Sequence, residues 1–373
     1  MKIGILKEKG EENRVAMLPE HFTSLLKKNV TLLVEKGAGD RCFVSDASYE
    51  EAGATVMDRK QILKDADLFL AIHQPEEGLP AGKSLIAILN PLSRPLPVQE
   101  LAAGGARIHS LDMIPRSTRA QAVDVLSSQA TVAGYKAVLL AATRLPSFFP
   151  MFMSASGTIK PSRVLILGAG VAGLQALATA RKLGAVVEVF DVRAAVKEEV
   201  LSLGGKFVEV EGARDDQGAG GYAVEQSEEY KRKQGELIQK HAISANVVIT
   251  TAQIPGRPAP KLILKETVEQ MKPGSVIVDL AASTGGNCEL TRDNETYVHG
   301  GVTLIGNSSL PSTMPADASK MLGKNFLNFL DLMFDSEGNL NLDVEDEIVT
   351  ETCIARDGQV VHPRIKDLLE KTK

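Results

Sequence analysis

Two short stretches of this chain carry side chains whose types and spacing suit chemistry. The first is RVLILGAGVAGLQALATARKLGAVVEVFDVR, residues 163–193. Gly168, Gly170 and Gly173 stand in G-x-G-x-x-G spacing between an apolar run, Val164 to Leu167, and a helical pattern that runs through Lys182 to a capping Gly184. A second apolar run, Val186 to Phe190, ends on Asp191. In such a strand–helix–strand unit the first glycine makes the tight turn. The second lets the backbone approach a pyrophosphate, and the third lets helix and strand lie close. The free N–H groups at the helix start hold the anion. The acid, 18 residues past the last glycine, suits the 2′-hydroxyl of an adenosine ribose and repels a 2′-phosphate, which favours NAD over NADP. Arg193 pulls the other way, since a nearby arginine is the usual accommodation of a 2′-phosphate.

The second stretch is PRSTRAQAVDVLSSQATVAGYKAV, residues 115–138, in which Arg116, Arg119, Gln121, Asp124, Ser127, Ser128, Gln129 and Tyr135 crowd into 20 residues. Two readings stand. Asp124 or Ser127 caps a helix and the arginines are solvated. Alternatively, the segment is a polar patch at a domain junction that orients a nicotinamide amide and ribose, where glutamine is apt because it donates and accepts at once. A third stretch, residues 212–234, holds almost nothing to bury, and Tyr222 stands alone behind Gly218, Gly220 and Gly221. A loop of that length inside a compact domain is functional or disordered. A hinged flap that closes Tyr222 over a nucleotide and a plain insertion that continues into a solvated helix are evenly matched.

The elements that must position these residues read as two α/β layers. Short apolar runs at Ile3–Leu6, Val30–Val34, Leu68–Ile72, Leu85–Leu89 and Ile108–Leu111 alternate with helical patterns such as Pro19–Lys28, which predicts a first parallel sheet. Apolar and small residues at helical spacing over 121–143 predict a long connecting helix. Later strands are expected at Val247–Thr251, Ser275–Leu280 and Val302–Ile305, an amphipathic helix at Ala318–Leu332, and a polar tail with one β-like run at Glu347–Ala355. The tail is too short for its own core. The expected organisation is therefore an outer α/β domain made of residues 1–125 and 316–373, and a nucleotide-binding domain of residues 126–315 with a mobile loop at 212–234. The fold class is α/β: two Rossmann-like parallel-sheet domains with a nucleotide-binding cleft between them.

Composition narrows the function. The chain has 373 residues, 44% hydrophobic and 24% charged, with net charge −5. That is an ordinary globular balance long enough for two domains. With no basic run and no interleaved aromatics, nucleic acid is not an expected partner. Cys42, Cys288 and Cys353 lack metal or redox spacing and read as reduced thiols of a cytosolic protein. The six histidines form no HxxxH or HExxH pattern, so no metal is expected. The most apolar of the long uncharged runs, Val164 to Ala180, is 17 residues, short of the roughly 20 a membrane span needs. No signal peptide precedes the first strand, and the expected location is cytoplasmic.

Six motifs together carry a family resemblance: GILKEKGEENRVAMLPE (4–20), RAQAVDVLSSQATVAGYKAV (119–138), GAGVAGLQALATARKLGAVVEVFDVR (168–193), DDQGAGGYA (215–223), TTAQIPGRPAP (250–260) and DLAASTGGN (279–287). Over essentially its whole length the chain resembles the peripheral NAD(H)-binding component of proton-translocating nicotinamide nucleotide transhydrogenase. It is related more distantly to alanine dehydrogenase. The resemblance implies that Arg116, Gln121, Asp124 and Ser127 contact the nicotinamide or its ribose with Tyr135 in support, and Arg119 belongs to the same cofactor-binding set. It implies that Val171, Asp191, Val192 and Arg193 hold the adenosine half, that Gly221, Tyr222 and Gln234 belong to a loop that closes on NAD, and that Gln253 borders the site. Gln253 and Ser283 depart from the family's usual residues. The alanine dehydrogenases' substrate lysine and catalytic histidine fall here on Ala71 and Asn90. Amino-acid oxidation needs such a proton acceptor. Hydride exchange between two nicotinamides does not, so Ala71 and Asn90 suit a transhydrogenase and argue against the alanine-dehydrogenase-like alternative; a non-catalytic NAD-sensing module is the other alternative. The resemblance further implies a homodimer, a partner subunit that carries NADP(H), and membrane-spanning subunits that hold this chain at the inner membrane without its own insertion.

Overall fold

The computed structural model describes residues 1–210 and 228–371. The chain divides into two compact units, Met1–Gln129 with Pro311–Lys373, and Ala130–Leu310. In chain order the strands are β1 (Lys2–Ile5), β2 (Thr31–Glu35), β3 (Thr55–Met57), β4 (Leu68–Leu70), β5 (Ser84–Ala87) and β6 (Arg107–Ser110). A hairpin follows, β7 (Phe152–Ser154) and β8 (Gly157–Ile159), then β9 (Arg163–Leu167), β10 (Val186–Phe190), β11 (Lys206–Phe207), β12 (Val247–Thr250), β13 (Val276–Asp279), β14 (Glu295–His299) and β15 (Val302–Gly306). The last two are β16 (Cys353–Arg356) and β17 (Gln359–Val360).

The first unit's sheet runs β17-β16-β6-β5-β4-β1-β2-β3, and the second unit's runs β11-β10-β9-β12-β13-β15-β14. Both are parallel except at one edge: β16 lies antiparallel to β6 and β17, and β14 antiparallel to β15. These are the two Rossmann-like sheets the sequence predicts, with antiparallel edges that the runs of apolar residues did not signal.

The apolar runs of the second sheet are continuous because both faces are covered. Val164 and Ile166 of β9, with Val247 and Ile249 of β12, enter a core shared with Ala176, Leu177 and Ala180 of the helix Val171–Lys182 and with Ala137, Val138 and Ala141 of the helix Val125–Arg144. Their alternates Leu165, Leu167 and Val248 enter the opposite core, against Ile238 and Ala242 of the helix Glu228–Ser244. A period of two along each strand thus feeds two helical layers. The first sheet is built alike: Ile3 and Ile5 face one core, closed by Phe326, Phe329 and Leu330 of the helix Pro315–Asp331, while Leu33, Phe69 and Leu85 face the other.

Several elements differ from expectation. Pro19–Lys28 forms only a short 3-10 turn, Pro19–His21, and one α-turn, Phe22–Leu25. The segment expected as a β-like run at Glu347–Ala355 begins as a helix, Glu347–Thr352, because the Asp346 carboxylate accepts the N–H of Ile348 and caps it; only Cys353 onward is strand. Residues 228–234, expected within the long loop, already belong to the helix Glu228–Ser244. Among the described residues one helix, Val125–Arg144, is long and apolar enough to cross a membrane; its Ala137, Val138 and Ala141 are fully buried in the second unit's core.

Candidate functional site: a glycine turn, its acid, and a pinned polar segment

In both sheets the strand order reverses at the first strand: β1 lies between β2 and β4, and β9 between β10 and β12. In open α/β sheets ligands bind outside the strand ends at such switch points. At the end of β9, Gly168 has φ +106°, and a Cβ on it would run into the Thr251 hydroxyl. A Cβ on Gly173 would strike the Gly168 carbonyl oxygen. Packing within the protein therefore accounts for both glycines. It does not account for Gly170. That residue has an ordinary φ of −79°, it caps the helix Val171–Lys182 with no side chain bonding the helix N–H groups, and a Cβ there would meet nothing within 4 Å. The space beside Gly170, next to the open N–H groups of a helix start, suits an anion's close approach.

Asp191, at the end of β10, is 9% exposed. Its Oδ2 accepts the N–H of Ala169 at 2.7 Å, which ties it to the glycine turn, and its Oδ1 accepts the N–H of Arg193 at 2.9 Å. The Arg193 guanidinium closes on the same carboxylate, Nε to Oδ1 and Nη2 to Oδ2, both at 2.9 Å. Val192 between them is half-buried and Val171 exposed.

The loops after β12 and β13 close the other side of the switch point. Thr251 Oγ1 donates to the Gly168 carbonyl at 3.1 Å. Asn287 clamps the two loops together. Its Nδ2 donates to the carbonyls of Ala252 and Pro260 at 2.8 and 2.9 Å, and its Oδ1 accepts from the N–H of Ala252 at 3.0 Å. Asp279, 1% exposed, accepts from the N–H groups of Ala281, Asn287 and Cys288 and from the Thr291 hydroxyl. The exposed Gln253 donates to the Leu280 carbonyl at 2.9 Å. Thr251 and Asn287 were missed as site builders in the sequence; the only signal for them was their place in the two strand-end motifs.

In the first unit the polar segment is pinned on several sides. Asp124 accepts from the N–H of Ser127 at 2.9 Å and from its hydroxyl at 2.6 Å, and so caps the helix Val125–Arg144. The capping reading therefore holds at Asp124, whatever else that carboxylate does. Before it, the 3-10 turn Arg119–Val123 carries Gln121 exposed. Arg119, placed by resemblance in the cofactor set, donates to Asp346 at 2.6 Å. The Ala122 carbonyl accepts from Asn325 and Asn328 at 3.0 and 2.7 Å. Behind the segment, the buried Gln129 accepts from Arg14 Nη1 at 2.7 Å and donates to the Ala318 carbonyl at 3.1 Å. Arg14 in turn forks onto Glu12 at 2.8 and 2.6 Å, and His73 Nε2 lies 3.0 Å from the same carboxylate. Burial alone would raise the Glu12 carboxyl, but the hydrogen bonds of Arg14 and His73 outweigh it and hold the group well below the usual carboxylate range. The Arg14–Glu12 anchor was not recognised from sequence.

The remaining expected residues are dispersed. Arg116 is exposed on the loop before this turn. Tyr135 is exposed on the helix Val125–Arg144 beside Gly134, whose missing Cβ leaves room for the Ala172 carbonyl of the glycine-turn helix. Gln234 is half-buried on the helix Glu228–Ser244. Gly221 and Tyr222 lie outside the described residues. Ala71 is buried, and Asn90 is exposed with φ +52°.

The N-terminal domain pattern of the alanine dehydrogenase/PNT family matches residues 4–133, and the C-terminal domain pattern of that family matches residues 137–363. The chain is 44% identical over 379 residues to an NAD(P) transhydrogenase alpha-subunit polypeptide of Rhodospirillum rubrum, covering 98% of this chain and 99% of that one. It superposes on a crystal structure of transhydrogenase from Sinorhizobium meliloti with TM-score 0.84 at 38% identity, over 97% of this chain and 99% of the other. An L-alanine dehydrogenase structure shares the fold, with TM-score 0.82 at 24% identity over 100% of both chains. With both domain patterns in place and the closer likeness running end to end, the chain belongs to the alanine dehydrogenase/PNT family, among the NAD(P) transhydrogenase alpha subunits.

Proposed function

We propose that this chain is the NAD(H)-binding subunit of a proton-translocating transhydrogenase. On this reading the second unit binds NAD(H), and hydride passes between its nicotinamide and an NADP(H) held by a partner subunit, while proton movement is coupled elsewhere in the complex. The observation that carries the binding half is Gly170. Gly168 and Gly173 are explained by the protein's own atoms, but Gly170 faces open space at a helix start, as a pyrophosphate seat requires. The adenosine ribose falls to Asp191 with Val192 and Arg193, and Val171 lines the same half. Gln121, Arg116, Asp124 and Ser127 orient the nicotinamide end, with Arg119, Tyr135 and Gln253 beside them and Gly221, Tyr222 and Gln234 on the closing segment. Bound NADH supplies the hydride itself. The protein contributes position and exclusion of water, so no acid–base pair is needed. A homodimer held to the membrane by its partner subunits completes the proposal.

The test has two stages. Fluorescence titration of the purified chain with NADH should show saturable binding, and addition of an NADP(H)-binding partner subunit should then give transhydrogenation. Absence of binding would overturn the reading. Steady NADH formation from L-alanine and NAD⁺ would replace it with the dehydrogenase.

A further inference from the structure

Asp191 is fully occupied by the protein's own donors. An ionised carboxylate offers about four acceptor positions, and here four N–H groups fill them. Oδ1 takes the backbone N–H and the Nε–H of Arg193, and Oδ2 takes the Ala169 N–H and Arg193 Nη2. The two backbone donors belong to the turn architecture. The other two come from one side chain that can rotate away, and it is a quarter exposed.

The geometry of that pair points to a competitor. A guanidinium edge presents two parallel donors to the two oxygens of one carboxylate. The 2′,3′-diol of an unmodified ribose also presents two neighbouring donors. We propose that Arg193 is a latch on the adenosine-ribose position: its guanidinium stands where the ribose diol would donate, and a nucleotide binds Asp191 only by displacing it. This rests on the reading of the second unit as an NAD(H) site and refines the part of Arg193 in it, from a residue that holds the ribose to one that yields its place to the ribose and so sets affinity and cofactor choice. A displaced Arg193 remains next to the 2′ position, where it softens the repulsion between Asp191 and a 2′-phosphate. Hence the latch lowers affinity for NADH and narrows the preference over NADPH.

The experiment is a paired fluorescence titration of NADH and NADPH against the wild-type chain and Arg193→Met, with thermal melts to verify folding. A partly exposed ion pair contributes about 1 kcal/mol or less, so removing the competitor should tighten NADH by up to roughly fivefold. NADPH should not tighten, so the NADH-to-NADPH preference should widen. NADH binding that is unchanged or weaker in the variant overturns the latch, as does equal tightening of both nucleotides. If Arg193→Met does not fold, Arg193→Lys carries the test, because it keeps the charge and loses the fork: tighter NADH supports the latch, and equal or weaker NADH overturns it. A wild-type chain that binds neither nucleotide refutes the NAD(H) reading itself, which is a separate and recognisable result.

Discussion

Asp191 of the second unit and Asp124 of the first are two carboxylates to which the proposal assigns different parts of the cofactor, and they are held by different parts of the chain. The partners of Asp191, Ala169 and Arg193, lie 22 and 2 residues away. Asp124 caps its own helix locally, but the segment that carries it and Gln121 is anchored from far off. Arg14 reaches Gln129 across 115 residues, Gln129 reaches the Ala318 carbonyl across 189, Asn325 and Asn328 reach Ala122 across 203 and 206, and Asp346 takes Arg119 across 227. The segment proposed to grip the cofactor is thus a local strand–turn–helix device, whereas the segment proposed to orient the reactive ring hangs on tertiary contacts. Affinity and rate should then respond to different substitutions.

Gly170→Ala should have the largest effect and fall on affinity. The added methyl meets no protein atom, so the fold should lose no more than about 1 kcal/mol for a poorer helix cap. A methyl forced against a pyrophosphate should weaken NADH binding by roughly ten- to a hundredfold. NADH titration with a thermal melt measures both, and undiminished affinity would remove the glycine turn from the site.

Gln121→Asn should act at the other end. It withdraws the amide by one methylene, and a misplacement of about 1 Å can cost on the order of a hundredfold in rate. NADH binding should suffer by no more than one neutral hydrogen bond, roughly 0.5–1.5 kcal/mol. Equal losses in NADH affinity and in transhydrogenation with the partner subunit would make Gln121 a plain binder and erase the contrast.

Gln129→Leu sharpens the role of the distant anchors. It strips Arg14 and the Ala318 carbonyl of a buried partner, at a cost of about 1–3 kcal/mol in stability, and should slow transfer while leaving the NADH dissociation constant within about threefold. A variant that lost NADH binding and kept its turnover would reverse the assignment of the two ends.

Acid should separate the units through stability alone. In the first unit burial pushes His109 down to about 4 and lowers His21 as well. A histidine depressed in the fold is fully stabilising above its unfolded value of about 6.5 and loses that contribution as pH falls from there toward 4, because the unfolded chain binds the proton first. For His109 the loss approaches about 3 kcal/mol. Amide exchange at pH 7 and pH 5 should therefore loosen the first unit before the second, and uniform loosening would show that these histidines do not govern acid stability.

The same division separates what the sequence by itself determined from what the tertiary structure decided. The strands β9, β10, β12 and β13, the glycine turn and the acid at its far end were legible because their causes are local. An apolar run buried on both faces reads as a central parallel strand, and two of the three glycines sit where neighbouring backbone or the Thr251 hydroxyl leaves no room for a Cβ. The antiparallel strands β14, at one sheet's edge, and β16, next to the other's, were not legible, since their direction depends on which strand is already present, not on residue type. Glu347–Thr352 reads as strand from its β-branched residues yet folds as helix because Asp346 caps it. Arg193 shows the boundary most sharply. Its position two residues past the acid was plain from sequence, but whether its guanidinium faces a ligand or folds back onto Asp191 is a side-chain rotamer, chosen by the free acceptor positions of a buried carboxylate that only the assembled turn creates.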